Sequence, residues 1–166
     1  MPKSLAVFPG SFDPPTNGHV DIVLRTLKLF ETVRVAVIAN PAKSVLFSLS
    51  ERVDLMKEVF ADLSDRVFVD SFSGLLVHYV RDVQGTAIIR GLRAISDYDY
   101  EAQMALMNKS LYPEAETIFL ITQEKNSYIS STLVRQVASL GGSVKDLVPP
   151  VVLTALNRKL AHPWNL

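Results

Sequence analysis

The stretch GSFDPPTNGH, residues 10–19, combines residue types that together can bind a phosphate. Gly10 allows close approach of a ligand to the backbone, and Pro14 and Pro15 stiffen the loop without offering amide donors. The end of the stretch leads into a predicted helix, whose free N–H groups and partial positive charge stabilise an anion. His19 falls in the first helical turn, where its imidazole could donate a hydrogen bond to a phosphate oxygen. The stretch predicts a phosphate-binding turn, although a tight turn with a surface histidine has the same local pattern.

Three further segments offer cations or helix-start donors, and each also has a simpler structural interpretation. Lys43, in a polar loop, is either a solvated charge or a cation that reaches a phosphate. Arg90 and Arg93 flank a glycine after an apolar run and could pair with neighbouring helices or bind phosphates. Residues 126–132, NSYISST, end in three hydroxyl residues before a helix, whereas capping needs one. We therefore expect a second phosphate cradle there, which Arg135 could reinforce.

Alternating strands and helices must position these segments. Apolar runs predict five strands, at residues 5–8, 33–39, 67–69, 86–89 and 117–122. Helical spacing, together with a capping box formed by Ser48 and Glu51, predicts helices at residues 20–30, 48–63, 75–81, 96–111, 130–140 and 150–160. This alternation predicts an α/β fold, a Rossmann-like five-stranded parallel sheet with helices on both faces. With strand order 3-2-1-4-5, a ligand would lie between the first and fourth strands, next to the segments described above.

Composition limits the classes of function. The 166 residues carry 17 Lys plus Arg and 17 Asp plus Glu, so no basic field suggests a nucleic-acid partner. No apolar run reaches the ~18 residues of a membrane helix, and we expect neither a membrane partner nor a signal peptide. The chain has no cysteine, which excludes thiolate metal sites and a Cys nucleophile and is consistent with a cytoplasmic location. Asp97, Asp99 and Glu101 do not share one helix face, so we expect no direct metal ligands from them.

The motif Gly-x-Phe-Asp-Pro-x-Thr-x-Gly-His resembles the signature of the nucleotidylyltransferase superfamily. Together with Lys43, IIRGLRA at 88–94, DYDYE at 97–101 and YISSTLVR at 128–135, it makes nearly the whole chain resemble the bacterial phosphopantetheine adenylyltransferase family. The resemblance implies a single nucleotidylyltransferase domain over residues 1–166. It implies transfer of AMP from ATP to 4′-phosphopantetheine, giving dephospho-coenzyme A and pyrophosphate in coenzyme A biosynthesis. It also implies Mg²⁺ as the cofactor that accompanies ATP, a homohexamer, and coenzyme A as a feedback inhibitor.

The resemblance assigns roles to individual positions. Contacts with phosphopantetheine are expected from Ser11, Lys43, Leu76 and Arg90. Contacts with ATP are expected from Ser11, Phe12, His19, Gly91, Leu92, Arg93, Glu101, Asn126, Ser127, Tyr128, Ile129, Ser130, Ser131 and Thr132. His19, Lys43 and Arg93 are the expected catalytic residues. Ser11 replaces a frequent threonine and keeps the hydroxyl, whereas Asn126 replaces the tryptophan of some members, which argues against stacking on the nucleotide there.

The expected chemistry needs no general base, because a phosphate with a second pKa near ~6 is already largely a dianion at neutral pH. We therefore expect direct in-line attack on the α-phosphate of ATP without a covalent intermediate. One alternative is the same fold transferring AMP or CMP to nicotinate mononucleotide or glycerol phosphate, against which the IIRGLRAISDYDYE segment argues. The other alternative is a non-catalytic module that binds a nucleotide or coenzyme A, against which the joint presence of His19, Lys43, Arg90 and Arg93 argues.

Overall fold

The molecule is built on one parallel sheet, seen in a computed structural model that describes residues 4–40 and 44–161. Its strands are β1 (Leu5–Gly10), β2 (Thr32–Ile38), β3 (Val67–Phe72), β4 (Ala87–Leu92) and β5 (Glu116–Ile121). Every neighbouring pair is parallel, and the order is β3-β2-β1-β4-β5. The predicted fold class and strand order are confirmed.

Within the described residues, six α-helices connect and follow the strands. Their bounds are α1 (Asn17–Thr26), α2 (Leu49–Val59), α3 (Leu76–Asp82), α4 (Ile95–Leu111), α5 (Ser131–Ser139) and α6 (Pro150–Leu160). The Ser48–Glu51 capping box is present at the start of α2. The helix predicted to run to residue 63 ends at Val59 and is followed by a 3-10 turn at Ala61–Leu63. A second 3-10 turn, at Glu124–Asn126, was not predicted. None of the helices within the described ranges is both long and apolar enough to cross a membrane.

Several strands run further than their apolar runs predicted, and α1 is shorter. β4 continues through Leu92, so the prediction that Arg90 comes after the strand is wrong, and Arg90 lies within it. The ladder to β5 continues at Arg90 and Gly91, because backbone pairing does not require apolar side chains. α1 ends at Thr26, although the apolar spacing continues to Phe30.

The central strands are buried on both faces, and their side chains alternate between two clusters. Ala6 and Phe8 of β1 pack with α1 and α2, whereas Val7 points to the other face and packs with Val80 of α3. A third cluster joins α5 and α6 to Phe47, in the segment that precedes α2. The edge strands β3 and β5 are only partly buried. Side chains at the carboxyl end of β1 are thus carried by a rigid, packed strand.

The neighbours β1 and β4 separate toward their carboxyl ends. They pair only at Ala6 with Ala87 and at Val7 with Ile88, whereas β1 pairs with β2 along its whole length up to Gly10. Pro9 has no amide hydrogen to donate to a ladder. The separation opens a crevice at the point where strand order reverses, which is where ligands bind in sheets of this type.

Candidate active site

A cavity of about 390 Å³ occupies this crevice. Its walls come from the end of β1 and the loop after it, the end of β4, the first turns of α4, and the start of α5. The predicted site residues that line it are Ser11, Phe12, His19, Arg90, Gly91, Arg93, Glu101, Asn126, Ile129, Ser130, Ser131 and Thr132. The structure therefore gathers most of the predicted set around one space, from segments far apart in sequence.

Four predicted residues within the described part of the chain do not line the cavity. Leu76 begins α3 and packs on the cluster that contains Val7 and Val80. Leu92 ends β4, the Ser127 hydroxyl donates to the carbonyl of Glu124, and Tyr128 is exposed. Lys43 lies outside the described residues.

The loop between β1 and α1 is shaped by Phe12. Phe12 has φ +48°, in the left-handed region, and its ring is buried against Phe8 at 5.3 Å and against His19 at 4.9 Å between ring centres. A Cβ at Gly10 would lie 2.8 Å from Cζ of Phe12, so glycine is required beside this ring. Phe12 as a whole is only 2% exposed, so its ring shapes the loop from within the protein.

His19 is held in one tautomer by the start of α1. The backbone N–H of Thr16 donates to Nδ1 of His19 at 3.0 Å, and the Thr16 hydroxyl lies 3.2 Å from the same nitrogen. His19 in turn donates its own backbone N–H to that hydroxyl, which completes a capping box with histidine in the place usual for glutamate. Since Nδ1 accepts, the proton of the neutral ring is on Nε2.

The charge of His19 follows from its surroundings. Burial, and then the positive charges of Arg93 and Arg90, lower its pKa from 6.5 to about 4. At neutral pH the side chain is therefore an uncharged donor through Nε2–H, not a cation and not a general base. A neutral donor suits the stabilisation of negative charge that develops on a phosphate oxygen.

Arg90 is fixed across the crevice by a carboxylate and a carbonyl. Its Nε and Nη2 donate to the two carboxylate oxygens of Glu101 at 2.7 and 2.6 Å, a two-point pairing of high directional specificity. Its Nη1 donates to the carbonyl of Pro9 at 3.1 Å, which bridges the gap between β1 and β4. Glu101 thus contacts Arg90 directly, in addition to lining the cavity.

Two more arginines at the cavity are also paired with acids. Nε of Arg93 lies 3.5 Å from Asp97 one turn into α4, and Nη1 of Arg135 lies 3.1 Å from Oδ2 of Asp13. Each guanidinium has further N–H groups beyond these contacts, because arginine carries five. The cavity therefore presents prepositioned positive groups on a chain whose formal net charge is zero.

The start of α5 supplies amides more than hydroxyls. The Ser130 hydroxyl caps the helix by accepting the N–H of Leu133 at 3.1 Å, and the Ser131 hydroxyl donates to the carbonyl of Pro14 at 2.8 Å. The Thr132 hydroxyl accepts Nη2 of Arg135 at 3.5 Å. All three hydroxyls therefore make hydrogen bonds within the protein, which modifies the expectation that they bind a ligand. First-turn amides have no partner inside a helix, so the N–H groups of Ser131 and Thr132 are suited to an anion.

No group of three or more His, Asp or Glu side chains that could hold a metal ion occurs within residues 4–40 and 44–161. The carboxylates that line the cavity, Asp97 and Glu101, are paired with arginines. They neutralise those arginines and do not form a cation cage.

Sequence reasoning missed the polar residues that hold the loops together. Asp13 is fully buried, and its carboxylate accepts the N–H groups of Leu46 and Phe47 at 2.9 Å each. Arg52 is 3% exposed and donates to the carbonyls of Ser11, Ile38 and Phe47. A signal existed, because Arg52 lies one turn before Met56 on the apolar face of α2, where a charge needs partners.

Comparison with known proteins places these features in a family. A family model described as cytidylyltransferase-like matches residues 7–137. The chain is 52% identical over 163 residues to a phosphopantetheine adenylyltransferase of Geobacter sulfurreducens, covering 98% of this chain and 99% of the relative. It is also 52% identical over 155 residues to the enzyme of the same name from Caldanaerobacter subterraneus, covering 93% and 96%.

Solved structures share the fold at low sequence identity. A putative nicotinate-nucleotide adenylyltransferase from Vibrio parahaemolyticus superposes with a TM-score of 0.70 at 16% identity, covering 98% of this chain and 97% of that one. A bifunctional NMN adenylyltransferase/ADP ribose pyrophosphatase from Francisella tularensis, complexed with AMP and a manganese ion, gives 0.65 at 17% identity and covers 96% and 52%. These matches show the same architecture.

Proposed function

The chain belongs to the phosphopantetheine adenylyltransferase family, and from this premise we propose that it transfers AMP from ATP to 4′-phosphopantetheine by direct in-line attack, without a covalent intermediate. The products would be dephospho-coenzyme A and pyrophosphate. Two observations support the proposal: full-length identity to enzymes of that name, and a cavity whose donors suit phosphates. The arrangement of hydrogen-bond donors in the cavity supports the proposed mechanism.

The single observation with most weight is the convergence of a neutral His19 donor, Arg90 and Arg93 on the gap between β1 and β4. Bringing two anions together is the main obstacle when a phosphate attacks an α-phosphate. Fixed arginines and helix-start amides lower that obstacle by positioning and electrostatic stabilisation. His19 keeps its ring proton for donation, and a phosphate that is largely a dianion at neutral pH needs no base, so the acceptor phosphate itself would act as the nucleophile.

Roles within the cavity follow from position. His19 Nε2–H would donate to an oxygen of the α-phosphate as charge develops there. Arg90, fixed by Glu101, would orient the attacking phosphate together with Lys43. Arg93 and the amides that begin α5 would hold the β- and γ-phosphates. Ser11 would contribute to both substrates. The family resemblance further implies contacts of Leu76 with the pantetheine and of Leu92 and residues 126–132 with ATP, although Leu76, Leu92, Ser127 and Tyr128 do not line the cavity.

Mg²⁺ would accompany ATP. The manganese and AMP in the Francisella tularensis structure show divalent metal in an enzyme of the same fold. In this chain the cavity carboxylates are paired with arginines, so phosphate oxygens and water would supply most of the metal's ligands. The ion would neutralise phosphate charge, and the residues of the protein would orient the triphosphate.

We extend the proposal to assembly, location and regulation. The helix α4 exposes Leu106, Met107 and Leu111, which are 51–72% exposed, and this part of the helix is expected to pack against other subunits. A homohexamer would give six times the mass of the 18.4 kDa chain in light scattering. A single domain over residues 1–166, a cytoplasmic location and feedback inhibition by coenzyme A complete the proposal.

A pyrophosphate-release assay with ATP and a panel of acceptors tests the function. Release with 4′-phosphopantetheine, but not with nicotinate mononucleotide or glycerol 3-phosphate, is the expected result. Activity with nicotinate mononucleotide alone would refute the assigned acceptor. Binding of ATP without release on any acceptor would instead favour a non-catalytic module. Formation of dephospho-coenzyme A, measured by mass, confirms the transferred group.

A further inference from the structure

Asp13 is a buried carboxylate that no step of the proposed reaction uses. It lies in the loop between β1 and α1, residues 11–16, which we call the motif loop. Its Oδ1 accepts the N–H of Phe47 at 2.9 Å. Its Oδ2 accepts both the N–H of Leu46 at 2.9 Å and Nη1 of Arg135 at 3.1 Å. The same Nη1 donates to the backbone carbonyl of Asp13. One carboxylate therefore contacts α5 on one side and the segment of residues 44–48 on the other.

Arg52 holds the same segment as a hydrogen-bond donor, whereas Asp13 holds it as an acceptor. Its Nε donates to the carbonyl of Phe47 at 3.2 Å, and its Nη1 donates to the carbonyls of Ser11 at 2.7 Å and Ile38 at 3.1 Å. Phe47 is thus held at its amide by Asp13 and at its carbonyl by Arg52. Because Arg52 also holds Ser11, the motif loop and the 44–48 segment are tied together at two points.

These contacts connect the start of α5, which lines the cavity, with the segment of residues 44–48. Arg135 lines the cavity beside Thr132, on the side where the triphosphate of ATP is proposed to lie. The 44–48 segment directly follows Lys43 in the sequence, the predicted acceptor contact. Arg135 neutralises part of the charge on the Asp13 oxygen that also accepts the N–H of Leu46, so a phosphate that draws Arg135 away strengthens the charge-assisted bond to Leu46.

We infer that Asp13 is a positioning residue that couples ATP binding at Arg135 to the order of the 44–48 segment. Bound ATP strengthens the hold of Asp13 on Leu46, so the acceptor side is fixed when the triphosphate is in place. This inference rests on the proposed function, because it takes ATP as the ligand beside Arg135. Asp13 need not touch either substrate.

Asp13→Asn tests the coupling with little change of volume. An asparagine has one acceptor oxygen and one NH₂ group, and in either orientation the NH₂ group faces an N–H donor. We expect the Michaelis constants for ATP and for phosphopantetheine both to rise, by about tenfold. Arg135→Lys keeps the charge but loses the fork, so it should raise the constant for ATP by about fivefold. It should also raise the constant for phosphopantetheine, by a smaller factor than Asp13→Asn does, because bound ATP then fixes the 44–48 segment less firmly.

Matched controls separate positioning from folding and from the function itself. Asp21→Asn removes another aspartate paired with an arginine, in α1 and away from the cavity, and should leave both constants at wild-type values. The wild-type enzyme is assayed in parallel, so absence of any activity would refute the proposed function and not this inference. A fall in melting temperature for Asp13→Asn with both constants unchanged would overturn the inference, as would a change in only one constant.

Hydrogen exchange gives a second test that needs no change at Asp13. In the wild-type enzyme, ATP added without acceptor should slow amide exchange in a peptide covering residues 44–48. The slowing should be smaller in Arg135→Lys at saturating ATP. Unchanged exchange in the wild-type segment when ATP is bound would overturn the coupling, even if Asp13→Asn fails to fold.

Discussion

Replacing Glu101 by glutamine separates two roles that this residue could have. The family resemblance implies that Glu101 contacts ATP, whereas the structure shows both of its oxygens bonded to Arg90, at 2.6 and 2.7 Å. Glutamine has nearly the same shape but only one acceptor oxygen. If Arg90 orients the acceptor phosphate, the variant should bind and use phosphopantetheine poorly while its use of ATP is nearly normal.

The size of the effect follows from the geometry. A hydrogen bond to a charged group contributes about 1.5–3 kcal/mol, and glutamine loses one such bond and the charge of the other. The Arg90 side chain is 32% exposed, so solvent reduces the net loss to about 1.5–2 kcal/mol. That free energy corresponds to about a 10- to 30-fold fall in kcat/KM for phosphopantetheine.

Steady-state pyrophosphate release is measured with each substrate varied while the other is saturating. It gives kcat/KM for ATP and kcat/KM for phosphopantetheine separately. Glu116→Gln is the matched control, because it ends an exposed ion pair with Lys109 outside the cavity. It should leave both constants unchanged. A Glu101→Gln variant whose kcat/KM for ATP falls, while that for phosphopantetheine stays at the wild-type value, would refute the positioning of Arg90 by Glu101.

Three further predictions concern His19. His19→Ala should lower kcat by about 10²- to 10³-fold, as for a lost oxyanion donor, with little change in ATP affinity by calorimetry; equal losses in both would contradict a transition-state role. Because burial, Arg93 and Arg90 lower its pKa to about 4, its ring NMR signals should stay constant from pH 8 to about pH 5, and a midpoint near 6.5 would refute the neutral donor. As the pH falls, His19 is protonated in the unfolded state before it is protonated in the folded state. The stability contributed by neutral His19 is therefore complete above about pH 6.5 and is lost as pH falls toward 4. Denaturant unfolding of wild type and His19→Ala across that range measures the difference between their free energies of unfolding, which should shrink on acidification.

The sheet was predictable because its signals are local. Apolar runs such as residues 33–39 stand out in the sequence, and the short connections between strands and helices restrict the topology. The capping box at Ser48 and Glu51 was found from spacing alone and is present in the structure. The cavity was also foreseeable in outline, because the carboxyl ends of β1 and β4 meet where the strand order reverses.

The partners of the charged residues were not predictable, because they depend on contacts between distant segments. Arg90 pairs with Glu101 and with Pro9, which are 11 and 81 positions away. Asp13 contacts Leu46, 33 positions away, and Arg135, 122 positions away. No pattern of spacing within a segment encodes such pairs, since the fold brings them together. Likewise, the left-handed backbone of Phe12 depends on the packing of its ring against His19 and Phe8.

The stereochemical course at the α-phosphorus tests direct transfer most directly. One diastereomer of adenosine 5′-O-(1-thiotriphosphate) is incubated with 4′-phosphopantetheine and the wild-type enzyme, and the configuration of the thio-substituted dephospho-coenzyme A is determined. A single in-line displacement inverts the configuration, which is the predicted result. Retention would require two displacements through a covalent adenylyl-enzyme, and it would contradict the mechanism proposed for this cavity.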